Sequence, residues 1–76
     1  MRLNYYFTDR ATALEFQTWL DKSRGIRGKI APALPRYRHG KSPGVSVHWT
    51  PGNLVEANEE AQEARRRGGT KWSTEV

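Results

Sequence analysis

Apolar and polar positions alternate from Arg2 to Phe7. Leu3, Tyr5 and Phe7 fall on one side and Arg2, Asn4 and Tyr6 on the other, and the aromatic residues suit a pleated surface, so this stretch predicts a first strand. The period then changes. In TDRATALEFQTWLDKSRG, Ala13, Phe16 and Leu20 recur at helical intervals with Trp19 beside them. Thr8 or Asp9 supplies a capping oxygen, Thr12 with Glu15 has capping-box spacing, and Gly25 is the natural stop, which together predict a helix over about residues 10–23.

Ile26 to Leu34 reads as a second strand with imperfect alternation. Gly28 suggests a bulge, and Pro32 and Pro35 suggest an edge position or an early end. PRYRHGKSPG is predicted as an exposed loop, because Pro35, Gly40, Pro43 and Gly44 break regular structure. Val45, Val47 and Trp49 then alternate with Ser46, His48 and Thr50 in the clearest strand signal of the chain. Thr50 before Pro51 has the form of a helix start, and Leu54, Ala57, Ala61 and Ala64 place one narrow stripe toward the core. Glu56, Glu59, Glu60 and Glu63 precede Arg65, Arg66 and Arg67, an order that complements the helix dipole; Gly68 and Gly69 end the helix.

The predicted order is therefore β-α-β-β-α in a small α+β domain: an antiparallel sheet with both helices packed on one face and the other face open. Residues 1–69 form that single domain, and residues 70–76, after the double glycine, are expected to be a flexible tail. The expected core is Leu3, Tyr5, Phe7, Phe16, Leu20, Val45, Val47 and Leu54. At 76 residues such a core lies near the lower limit for folding without staples.

Charge sharpens this picture. The formal net charge is +5, and residues 23–49 hold six bases and no acid, whereas residues 50–64 hold four acids and no base. Such segregation produces one basic face, which favours polyanions or an acidic protein surface. The absence of cysteine removes disulfides, thiolate zinc sites and cysteine nucleophiles, and fits a reducing, cytoplasmic setting. The opening MRLNYYFTDR is too polar for a signal peptide, and no run approaches the roughly 20 apolar residues of a membrane span.

Candidate chemistry narrows quickly. His39 and His48 have no third ligand at metal-binding spacing, so neither a metal nor another cofactor is expected. Lys41-Ser42 follows Gly40, but Pro43 stands where a phosphate-binding loop would open its helix. The carboxylates of the second helix read as a solvated face, and no acid–base pair stands out. Small basic ribonucleases use His, Arg, Lys and Tyr on a sheet, and His39 or His48 with Arg36, Arg38 and Tyr37 offers those residue types.

Residue types without a defined spacing favour binding over catalysis. The expected recognition surface comprises Arg24, Arg27, Lys29, Arg36, Tyr37, Arg38, His39 and Lys41, extended by Arg65, Arg66 and Arg67. Cations there would meet phosphates and the aromatic ring a base, which points to a non-enzymatic nucleic-acid binder with no membrane partner. The alternative partner is an acidic surface of a larger protein. In its small size and its lack of cysteine and catalytic groups the chain is similar to the host-takeover inhibitors by which bacteriophages bind a larger host enzyme.

Overall fold

A computed structural model describes residues 2–32 and 44–75, apart from the side chains of Pro32 and residues 72–75. Six elements follow in order: β1 (Arg2–Phe7), α1 (Arg10–Arg24), β2 (Lys29–Pro32), β3 (Val45–Trp49), α2 (Leu54–Arg66) and β4 (Thr70–Glu75). The strands form one antiparallel sheet in the order β2-β3-β1-β4. Each helix thus links two strands that have a third between them, the split β-α-β connectivity of ferredoxin-like domains.

The strand alternation works as the sequence predicts. Leu3, Tyr5 and Phe7 pair in register with Trp49, Val47 and Val45, so both central strands turn their large residues to one face. Both helices cover that face: Ala13, Phe16 and Leu20 of α1 and Ala57, Ala61 and Ala64 of α2 join those side chains in one buried cluster. Phe16 sits at its centre, with ring centroids 5.0 Å from Trp49, 5.7 Å from Phe7 and 5.9 Å from the half-buried Trp19. Alanine along α2 lets that helix approach the sheet closely, and Gly69 lies so near Phe7 that a Cβ there would fall 2.7 Å from Cζ.

The start and stop signals of α1 are realised. Asp9 is the N-cap and accepts from the Ala11 backbone N–H, and Gly25 closes the helix in the left-handed region at φ 68°. The start of α2 differs from expectation. Asn53, not Thr50, is the cap, its Oδ1 accepting the Glu56 N–H at 2.8 Å. Asparagine in extended backbone satisfies that donor directly, and Pro51 and Gly52 stay outside the helix. Leu54 consequently occupies the first turn, beyond the edge of the core, and is 69% exposed instead of buried.

Three further expectations change. Strand β2 begins only at Lys29, and Gly28 is a point of close packing and not a bulge: a Cβ there would lie 3.2 Å from both Leu20 Cδ1 and Val47 Cγ1. Residues 33–34 of the predicted strand, and the predicted loop up to Pro43, lie outside the described residues. Residues 70–75 are not a tail but strand β4, paired with β1 over Arg2–Tyr6. A central β1 has two rows of backbone hydrogen-bonding groups to satisfy, and β3 satisfies only one of them.

The helix-free face is also less open than expected. Asn4, Tyr6 and Ser46 on that face are buried. Gly44, at φ 64°, runs so close over Tyr6 that a Cβ would stand 2.6 Å from its hydroxyl oxygen, a position only glycine tolerates.

Truncating Phe16 to Ala removes the ring on which Phe7, Trp19 and Trp49 converge. It should cost about 3–5 kcal/mol, a large part of the roughly 5–15 kcal/mol available to a small domain. A thermal melt checks this; an unchanged midpoint would contradict the packing described. Deleting residues 70–76 should also lower the midpoint sharply, because it strips β1 of one whole ladder.

Candidate nucleic-acid interface

Register brings three polar side chains into a row across the helix-free face. Lys29 of β2 pairs with His48 of β3, and His48 pairs with Asn4 of β1, so the row spans about 10 Å at ordinary strand spacing. Arg2 lies two residues from Asn4 on the same face, by strand alternation. Arg2 and Lys29 are exposed and His48 is half-buried. The next row is Ala31, Ser46 and Tyr6. Ser46 Oγ lies 3.0 Å from His48 Nε2 and donates to the Ala31 carbonyl at 3.4 Å, which fixes the imidazole over the sheet. The serine is 4% exposed.

Pro32 and Val45 are register partners, so the chain leaves β2 and re-enters β3 at one end of the sheet. The intervening sequence carries Arg36, Tyr37, Arg38, His39 and Lys41, which lie outside the described residues. Residues 23–50, which include all of β2 and β3, contain no carboxylate.

The other predicted cations go elsewhere. Arg27 stands before β2, in a shallow cleft with Gln17, Thr18, Asp21 and Gly28 on the α1 side. Arg24 turns toward α2, donating to Glu59 Oε1 at 2.7 Å, with its Nε 3.4 Å from Glu60 Oε2 and its guanidinium 5.4 Å from the Trp19 ring. Arg66 and Arg67 both clasp Glu63, at 2.9 and 2.8 Å, and Arg67 also lies 3.8 Å from Glu15. Arg65 lies over Tyr5, 5.9 Å from the ring centroid, on the helical side of the sheet. The structure therefore brings Lys29 to the helix-free face and does not bring Arg24 or Arg65–Arg67 there.

Sequence reasoning missed two features. Arg2 comes to the same face as Lys29 through the β1–β3–β2 register, which no local pattern discloses, and its register partner on β4 is Glu75. Glu60 is fully buried, although its helix face was expected to be solvated. A signal for this does exist: Ala57, Glu60, Ala61 and Ala64 share one helical stripe. Trp49 Nε1 donates to Glu60 Oε1 at 2.7 Å, joining α2 to β3.

These surroundings shift two carboxyls in opposite directions. Burial pushes Glu60 above the ordinary carboxylate value, opposed by the Trp49 hydrogen bond and the Arg24 charge and reinforced by Glu56 and Glu59. The hydrogen bond from Arg66, with that from Arg67, holds Glu63 below the ordinary value.

Among the described residues no group of three side chains suits a metal ion, and no helix is long and apolar enough to cross a membrane. No family model, no curated protein and no solved structure matches the chain.

Glu60 has the sign of a group that favours the folded state in its protonated form. Its contribution is fully present below the unfolded pKa and is lost as pH rises through the folded one. Glu60→Gln keeps an acceptor for Trp49 and removes the buried charge, so the variant should melt above the wild type at pH 7, with the gap closing toward pH 4. A variant less stable at pH 7 would show that Arg24 holds the carboxylate strongly enough to outweigh its desolvation.

Proposed function

We propose that the protein is a small non-enzymatic nucleic-acid-binding protein that uses the β2–β3 side of its sheet. The observation that carries this reading is the uneven disposal of charge. Arg24, Arg66 and Arg67 of the helical layer are held by Glu15, Glu59, Glu60 and Glu63, whereas Lys29 and the cations that follow it up to Lys41 share their segment with no acid at all. A polyanion approaching the molecule meets net positive potential on that side. Lys29, with its register partner His48, supplies phosphate partners on the sheet, and Arg36, Arg38 and Lys41 follow β2 in the same acid-free run.

The mode of contact follows from burial. Tyr6, the aromatic residue of β1 and β3 on this face, is 2% exposed, so bases find no stacking platform at the centre of the sheet. Binding is then dominated by phosphate contacts, with weak sequence preference and a steep salt dependence. A reducing compartment such as the cytoplasm, which the lack of cysteine fits, would supply such ligands.

Fluorescence anisotropy with labelled single-stranded and duplex oligonucleotides, over a salt series, tests the proposal. Replacing Arg36, Arg38 and Lys41 together with Ala should weaken binding tenfold or more, at about 1 kcal/mol for each cation removed, and flatten the salt slope by about 0.7–0.9 for each phosphate no longer neutralised. Arg66→Ala should stay within about twofold, since that side chain is already committed to Glu63. The reverse ranking, with circular dichroism unchanged, would overturn the proposal.

A further inference from the structure

The two edges of the sheet are unequal. At the β2 edge, Pro32 has no N–H to offer and Lys29 adds a charge, two features that discourage further strand pairing. β4 forms the opposite edge and contains no proline, and among the described residues its outer backbone groups face no strand.

Beside β4 runs a groove of about 350 Å³ between that strand and α2. Leu54, Asn58, Ala61 and Arg65 recur along one flank of the helix over about 16 Å, with Leu3, Tyr5 and Lys71 on the sheet side. One end of this groove is apolar. Leu54, which lines it together with Ala57 and Leu3, is 69% exposed at the first turn of the helix.

The other end is cationic. Arg65 extends over Tyr5, and Lys71 is the register partner of the same Tyr5. A register shift puts it there: Asn4 pairs with Ser73 and Tyr5 with Lys71, so β4 carries an extra residue between them. Bulges of this kind re-aim side chains beside functional sites. The nearby acids do not balance the two cations, because Glu60 is taken by Trp49 and Arg24, and Glu63 by Arg66 and Arg67.

We propose that the groove and the β4 edge bind an extended peptide segment of a partner protein, apolar where it meets Leu54 and carboxylate-bearing where it meets Arg65 and Lys71. The edge supplies main-chain hydrogen bonds and the groove reads alternate side chains, the division of labour of strand addition. Charge selects the occupant. A second copy of this chain would oppose +5 with +5, whereas an acidic segment is attracted to the cationic end. This surface lies on the helical side and at the opposite edge from the proposed nucleic-acid interface, so the two are independent.

A yeast-displayed library of random peptides, selected on the full chain and followed by anisotropy of the recovered fluorescein-labelled peptides, tests this. The selection should enrich peptides in which apolar residues and Asp or Glu fall at alternate positions. The Arg65→Glu/Lys71→Glu protein should bind them at least tenfold more weakly, and so should Leu54→Asp, an exposed first-turn change that leaves the core intact. Circular dichroism verifies the fold of both variants. No enrichment, enrichment without an acidic bias, or affinity within twofold in both variants would overturn the proposal. So would sedimentation showing that wild-type dimers form through this edge and dissociate in the same variants, which would make the occupant a second copy.

Discussion

The carboxylates of α2 decide where this molecule keeps its positive charge. Glu63 is held by Arg66 and Arg67, and Arg24 crosses from the end of α1 to Glu59 and Glu60. Solvent-exposed pairs such as Arg24–Glu59 contribute only about 0–1 kcal/mol each to stability, so their chief effect is electrostatic. They neutralise Arg24, Arg66 and Arg67. Lys29 and the sequence that follows β2 have no carboxylate in their own segment.

The fold makes this division possible by separating the two faces of one thin sheet. β1 and β3 send Leu3, Tyr5, Phe7, Val45, Val47 and Trp49 into the layer shared with the helices, and the remaining positions carry Arg2, Asn4, Tyr6, Ser46 and His48. Trp49 performs two functions at the boundary: its ring packs against Phe16 and Tyr5, and its N–H ties the buried Glu60 to the sheet. Arg24, the last residue of α1, turns toward Glu59 and Glu60 and so links the two helices.

Much of the architecture was legible in local patterns. Strict alternation in β1 and β3, the Asp9 cap and the Gly25 stop are signals confined to a few residues, and each is realised. What was not legible depends on neighbours distant in sequence. TKWSTE has no apolar alternation and reads as a tail, yet it becomes β4 because β1 has an unsatisfied side. Leu54 looks like a core residue until Asn53 takes the cap and places it in the first turn. The candidate site divides in the same way. The acid-free run from Arg24 to Trp49 is plain in the sequence, but the pairing of Arg24 with Glu59 and Glu60 and the row of Lys29, His48 and Asn4 come from tertiary structure.

The central claim is that a polyanion meets the β2–β3 side of the sheet and avoids the ion-paired Arg66 and Arg67 of α2. Amide chemical-shift mapping by NMR during titration with a short single-stranded oligonucleotide tests it most directly. Perturbations should concentrate at Lys29, Ala31, Ser46 and His48, and in the run between β2 and β3, leaving Ala61–Arg66 nearly unmoved. Perturbations concentrated on α2, or none anywhere at low salt, would contradict it.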